Sequence, residues 1–238
     1  MLGAMGAVSA QPSAVAAFGT TALSPGGKPL RIGVIGSGRI GGTVGGLWVK
    51  AGHPVLFSSR HPEQLKSLVE GLGPNARAGS VAQAIEFGEV LFVAVPFGAL
   101  PELGKQYGQA MAGKIVLDAT NAYTHRDGAA AEEALVDGVA ITSARYLQGT
   151  RLVRAFNFTS ASDFATQHHR KPQRVAVPIA GDDREALAVA SQLVLAAGFE
   201  PVVIGSLKAA DSFAPGGPLF RQVGSADELR RRAQALGR

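Results

Sequence analysis

The chain has 238 residues, 46% hydrophobic and 17% charged, which suits a folded protein with one good core rather than a disordered one. Without cysteine it has no disulfide, no thiol nucleophile and no cysteine-held metal. The net charge of +5 is modest, and its basic tail (Arg230, Arg231, Arg232) reads as a solvated helix face, which argues against a nucleic-acid partner.

Residues 1–29 are Ala, Gly, Ser and Pro with little periodicity, and read as a disordered extension or the remnant of a targeting segment. Met1 to Phe18 has the small apolar character of a secretory h-region but lacks a basic n-region. A cytoplasmic location is therefore expected, with export as the alternative. No apolar run reaches the ~18 residues needed to span a bilayer.

From Leu30 the pattern alternates strand and helix. Leu30-Arg31-Ile32-Gly33-Val34-Ile35 is a short buried strand, which breaks into a glycine turn and then a helix to about Gly52. Gly36, Gly38 and Gly41 stand in G-x-G-x-x-G spacing: the first allows the tight turn, the second lets a pyrophosphate reach the backbone, the third lets helix and strand pack closely. Free N–H groups at the helix start, with the positive end of its dipole, then face the phosphates.

A second strand, Pro54 to Ser58, completes the β-α-β unit that this motif requires. Where a site for NAD carries an acidic residue, this chain reads Phe57-Ser58-Ser59-Arg60-His61. A carboxylate would repel a 2′-phosphate, whereas serine hydroxyls and a guanidinium can hold one, so NADP is the expected dinucleotide. The plainer reading of Arg60 is the cap of a polar loop.

Further along, a helix carries Leu65, Leu68 and Val69, a short strand covers Ala78 to Ser80, and a helix spans Val81 to Phe87. Glu89 to Val95 is a strand apolar enough to be buried on both faces, stopped by Pro96. Helix Gly98 to Met111 and strand Lys114 to Asp118 follow, then a polar loop from Asn121 to Gly128. Helices are expected over Ala129 to Leu135 and Ile141 to Leu147, strands over Leu152 to Phe158, Val175 to Ile179 and Pro201 to Ile204. Asp182-Asp183 caps the helix Arg184 to Ala197, Gly205 to Gly217 is a loop, and Ser225 opens a capping box for a last helix. The succession predicts an α/β protein: a Rossmann-type, doubly wound, mostly parallel sheet with helices on both faces and a small C-terminal extension, residues 30–238 forming one NADP-binding domain.

Several stretches together carry a family resemblance. Ile32 to Gly41, Ala51-Gly52-His53, Ser59-Arg60, Val93-Ala94-Val95-Pro96-Phe97, Lys114 to Asn121, Arg154-Ala155-Phe156-Asn157 and Ala180-Gly181-Asp182-Asp183 are similar to the NADP-dependent coenzyme F-420 (deazaflavin) oxidoreductases. The chain also resembles the related reductase domains of membrane ferric reductases. The resemblance covers about Leu30 to Gly217. It implies hydride transfer between NADPH and a deazaflavin or flavin-like acceptor, without a catalytic protein acid or base. In agreement, Tyr107 and Tyr146 have no lysine four residues on.

By the same resemblance Ser37, Arg39 and Ile40 line the pyrophosphate turn, Ser59 and Arg60 take the 2′-phosphate, and Val95, Pro96 and Phe97 lie against the nicotinamide and its ribose; Ser58, the other hydroxyl of that corner, is expected among the cofactor-binding residues. Asn121 and Asn157, each closing an expected strand, reach the carboxamide or the second substrate; ordinary turn chemistry is the alternative for both. Family members often carry histidine where this chain has Asn157. That departure, with the unusual Ala209 to Phe220 loop, leaves the second substrate open and keeps a non-catalytic NADP(H)-binding sensor as the rival function. The expected partner is a small-molecule redox acceptor, with a homodimer as an option. No metal site is expected: His168-His169 diverge on any regular element and, beside Arg170 and Lys171, read as a solvated loop.

Overall fold

The computed structural model describes residues 28–237; the expectations for residues 1–27 lie outside the described residues. Among those described, eight strands form one sheet: β1 (Ile32–Ile35), β2 (Val55–Ser58), β3 (Ala76–Gly79), β4 (Val90–Val93), β5 (Ile115–Asp118), β6 (Arg151–Arg154), β7 (Ala176–Gly181) and β8 (Glu200–Gly205), in the order β3-β2-β1-β4-β5-β6-β7-β8. The first six are mutually parallel, and the chain reverses its stacking direction between β1 and β4. At such a switch point the strand ends leave a crevice.

The helices are α1 (Arg39–Lys50), α2 (Lys66–Leu72), α3 (Val81–Phe87), α4 (Leu100–Met111), α5 (Thr124–Asp137), α6 (Val139–Tyr146), α7 (Ala161–Gln167), α8 (Arg184–Ala196) and α9 (Ala226–Leu236). β1, β2, β4 and β5 are buried along their whole length, as expected of parallel strands covered on both faces. The capping expectations hold: Asp183 accepts from the Ala186 N–H to start α8, and Ser225 forms a capping box with Glu228 to start α9.

One side of the sheet is filled by aromatic rings. Trp48 of α1 meets Phe92 and Phe156 edge to face at centroid distances of 5.0 and 5.6 Å, and Phe156 meets Phe164 and Phe199 at 5.5 and 6.5 Å. The Trp48 indole N–H donates to the Leu193 carbonyl at 2.7 Å, tying α1 to α8.

The sheet is mostly parallel, as expected; one antiparallel pairing was not foreseen, and three expected segments are corrected. β7 runs antiparallel to β6, pairing only through Val153 with Gly181 and Arg154 with Ala180, and β8 is parallel to β7. The cause is α7, which the sequence reading passed over. Its Phe164 packs on Phe156 and Phe158, holding the helix near the carboxyl edge, so the chain enters β7 from that edge. Its signal was present in Ser160 and Asp163, which form a capping box. β6 ends at Arg154 instead of Phe158, because Phe156 adopts φ 60° and turns the chain out of the sheet. The segments read as loops contain helical turns: Thr124 to Asp127 opens α5 ahead of a break at Gly128 (φ 53°, ψ −137°), and Leu207–Phe213 is a 3-10 helix.

Candidate functional site

At the carboxyl edge of the sheet the chain passes from β1 into α1 through Gly36-Ser37-Gly38. Gly36 sits at φ 93°, and a Cβ there would press on the Val95 side chain and the Ala94 carbonyl at 2.7 and 2.8 Å. A Cβ on Gly41 would meet the Gly36 carbonyl oxygen at 2.0 Å, so this position fixes how closely helix and turn approach. Gly38 differs: a Cβ there would have no atom within 4 Å. Nothing among the described residues forbids a side chain at Gly38, and the space above it is open.

Ser37 N–H and its hydroxyl both donate to the Ser58 carbonyl, at 3.1 and 3.0 Å, which pins the turn to β2. The N–H groups of Gly38, Arg39, Ile40 and Gly41 have no partner among the described residues. These are the orphan donors of a helix start, and with the helix dipole they make a site that favours an anion. Arg39 stands exposed in this first turn, where no acidic side chain is present. A cation at the positive end of a helix is unfavourable unless an anion joins it.

Ser59 and Arg60 follow β2 beside this turn. Ser59 Oγ accepts from the His61 N–H at 3.0 Å, leaving its own proton free to donate. Arg60 is exposed and has no ion-pair partner among the described residues. Ser58, however, is turned inward: its hydroxyl is fully buried and donates to the Val34 carbonyl at 2.7 Å. The expectation that its hydroxyl helps hold a phosphate is corrected, since Ser58 fastens β2 to β1 and the glycine turn instead.

A cavity of about 390 Å³ opens beside α1 and runs across the ends of β4, β5 and β6. Its walls include Arg39, Ile40, Val95, Pro96, Asn121 and Asn157, so six of the expected residues meet in one place. Phe97 does not join them. It is fully buried and packs edge to face on Tyr146 at 6.2 Å, because the 3-10 turn Phe97–Ala99 points its ring into the core.

Asn121 and Asn157 form a reciprocal pair: the Asn121 side-chain NH2 donates to the Asn157 carbonyl at 2.7 Å, and the Asn157 NH2 donates to Asn121 Oδ1 at 3.2 Å. Asn157 Oδ1 is left buried with no partner among the described residues. Asn157 reaches this place because of the Phe156 turn, a strained backbone that recurs at functional sites.

Beneath the pair lies a buried ion pair. Arg154 Nη1 donates to Asp118 Oδ2 at 2.5 Å, with both side chains fully buried. Arg154 also donates to the Thr120 carbonyl, and Ser143 to Asp118 Oδ2 at 2.6 Å. The sequence reading missed this network, although a charged residue closes each of two apolar strands, Ile115–Asp118 and Arg151–Arg154.

The far wall was also missed. Asp127 accepts from the N–H groups of Gly98 and Tyr123 at 3.1 and 2.9 Å, and from Arg126 Nε and Nη2 at 2.9 and 2.7 Å. Burial works to raise its carboxyl, but these hydrogen bonds from Arg126, Tyr123 and Gly98 outweigh it and hold the group below its ordinary value. Hydrogen bonds from the Thr159 and Ser160 hydroxyls likewise hold Asp163 low against a smaller burial effect. His168, read as solvated, is half-buried, with Nδ1 unpartnered among the described residues; burial, then His169 and Lys50, hold its pKa below the ordinary value.

A Rossmann-type sheet with the glycine turn, open helix start and cavity on its carboxyl edge defines the class: a dinucleotide-type α/β protein of oxidoreductase kind. Residues 31–122 match the family model described as "NADP oxidoreductase coenzyme F420-dependent". The chain is 34% identical over 155 residues to the F420-dependent NADP reductase of Methanothermobacter marburgensis, covering 60% of this chain and 68% of that protein. It is 30% identical over 183 residues to rat metalloreductase STEAP3, covering 76% of this chain and only 35% of that longer protein. A hypothetical protein from Sinorhizobium meliloti has the same fold, with a TM-score of 0.71 at 24% identity, over 83% of this chain and 96% of that one. The chain belongs to the coenzyme F420-dependent NADP oxidoreductase family. No helix among the described residues is long and apolar enough to cross a membrane.

Proposed function

We propose that residues 30–238 act as one NADPH-binding unit that delivers a hydride to a flavin-like acceptor, a deazaflavin or flavin, held in the cavity beside α1. The observation that carries this reading is the run of unpartnered N–H groups from Gly38 to Gly41, with open space at Gly38, joined through Ser37 to the end of β2, where Ser59 and Arg60 follow. The helix start takes the diphosphate, with Gly36 and Gly41 shaping the turn and Ser37 fixing it to β2. The Ser59 hydroxyl and the Arg60 guanidinium take the 2′-phosphate. Val95 and Pro96 give the nicotinamide a surface, and Asn121 meets its carboxamide. Asn157 Oδ1, an acceptor without a donor, turns to the second substrate.

Bound NADPH supplies a hydride, and such a transfer needs two rings placed face to face more than it needs a protein acid or base. The carboxylates Asp127 and Asp163 fit that demand, since each already accepts several hydrogen bonds and both are held in the charged form.

The test is Arg60→Ala, followed by calorimetric titration with both dinucleotides. NADPH binding should weaken by about 1–3 kcal/mol through loss of charge-assisted bonds, with NADH binding almost unchanged. Equal losses for the two would refute the 2′-phosphate role.

A further inference from the structure

The cavity wall carries a group to which the proposed function gives no part. Arg126 lines the cavity, and its side chain is 42% exposed while its partner Asp127 is 1% exposed. Such a long side chain is ordinarily mobile at a surface, yet this one is fixed from three directions. Nε and Nη2 grip Asp127 in a fork, Nη2 also donates to the Asn121 carbonyl at 2.8 Å, and the guanidinium lies over the Tyr123 ring at 5.0 Å. Nη1 has no hydrogen bond to any described residue, so its donors are held ready and unspent.

The neighbouring polar groups do not offer the same. The Thr159 and Ser160 hydroxyls both donate to Asp163 Oδ2, and Thr120 Oγ1 accepts from Arg154. Arg39 belongs to the glycine turn. Asp127, for its part, has two of its four donors from the backbone, the Gly98 and Tyr123 N–H groups. A clasp serving only the loop could be built on the Gly98 and Tyr123 N–H groups alone.

We propose that Arg126 is the group that receives the charge of the transfer: its Nη1 edge holds the oxygen or nitrogen of the acceptor ring on which negative charge accumulates. This rests on the function proposed above. In the step, the C–H bond at nicotinamide C4 breaks and both electrons leave with the hydrogen. A new bond to hydrogen forms on the conjugated acceptor ring, the nicotinamide becomes a cationic pyridinium, and the acceptor gains one negative charge that its conjugated carbonyl or ring nitrogen carries. A fixed guanidinium at that atom stabilises the transition state more than the ground state, which is the condition for raising the rate of the chemical step. The acceptor class follows: a flat conjugated ring oxidant whose reduced form is an anion.

The experiment uses riboflavin, which carries no phosphate, and FMN, which does, with Arg126→Gln and Arg126→Lys in the full chain. Circular dichroism and melting confirm that each variant is folded, and nucleotide fluorescence measures NADPH binding. Arg126→Gln should bind NADPH as the parent does but transfer hydride to riboflavin about 10²–10³-fold more slowly at saturating NADPH, the range for losing one fixed donor of this kind. Arg126→Lys, which keeps the charge and loses the fork, should fall between. Independently of turnover, the absorbance titration of reduced riboflavin bound to Arg126→Gln should show the anion forming only at higher pH than on the parent. A purely structural clasp would not move that ionisation.

A parent-like transfer rate in Arg126→Gln would overturn the proposal. So would a loss confined to FMN, which would put the guanidinium on a phosphate, and so would a parent protein that binds NADPH yet reduces neither flavin. Failure of the parent to bind NADPH would instead sink the function proposed above.

Discussion

The two ends of the cavity are built by different means. At the β1–α1 end the site is made of backbone: free N–H groups, a pinned turn, and glycines whose missing side chains leave room. At the β5–β6 end it is made of side chains: a buried ion pair, an amide pair, an arginine fork and a strained phenylalanine. A backbone device needs few residues and tolerates its surroundings. A side-chain device has to be satisfied atom by atom, because each buried polar group left over costs free energy.

The largest expected effect breaks the side-chain end. Arg154→Ala should cost about 3–5 kcal/mol in urea unfolding, since Asp118 is then left buried without its cation. The next separates the glycines. Gly41→Ala should destabilise the fold by about 1–3 kcal/mol, because its Cβ would sit 2.0 Å from the Gly36 carbonyl oxygen. Gly38→Ala, with nothing within 4 Å, should leave stability within about 0.5 kcal/mol and still weaken NADPH binding. If Gly38→Ala bound NADPH normally, the backbone end would not be the phosphate site.

The smallest effect concerns pH. Asp127 and Asp163 have lowered carboxyl pKa values in the fold, so the unfolded chain binds more protons in acid. Their stabilisation is present above the ordinary carboxylate pKa near 3.8 and is lost as pH falls through the lower folded values. His168 is lowered too, so it begins to cost stability earlier, as pH falls below its ordinary 6.5. Melting temperature followed from pH 7 downward should fall gently at first and more steeply below about pH 4, and a flat profile would contradict the geometry around Asp127.

The same contrast decides what could be read from the sequence. Gly36, Gly38 and Gly41, the Ser59–Arg60 corner and the buried strands carry local signals in spacing and periodicity, and the strands lie in the sheet as read. Asn121 and Asn157 were found through the resemblance, not through any local signal. The Arg154–Asp118 pair was not found, because a partnership across 36 positions leaves no trace in a local pattern, while Arg126 and Asp127, neighbours in sequence, fell inside a segment read as a polar loop. Phe97 and Ser58 were misplaced for a related reason. Both follow a legible strand, but which way a side chain turns at a strand end depends on packing that spacing does not encode. The reversal of β7 likewise depends on where α7 docks, and strand–helix alternation is silent on direction.

Phe156 has a consequence of its own. Its left-handed backbone would be most comfortable with glycine or asparagine, yet its ring sits among Trp48, Phe92, Phe164 and Phe199. Glycine would relax the corner and hollow the aromatic layer; a β-branched residue would fill part of the hole and worsen the corner. Neither substitution is open, so this bend is anchored from both sides, by its backbone and by its ring.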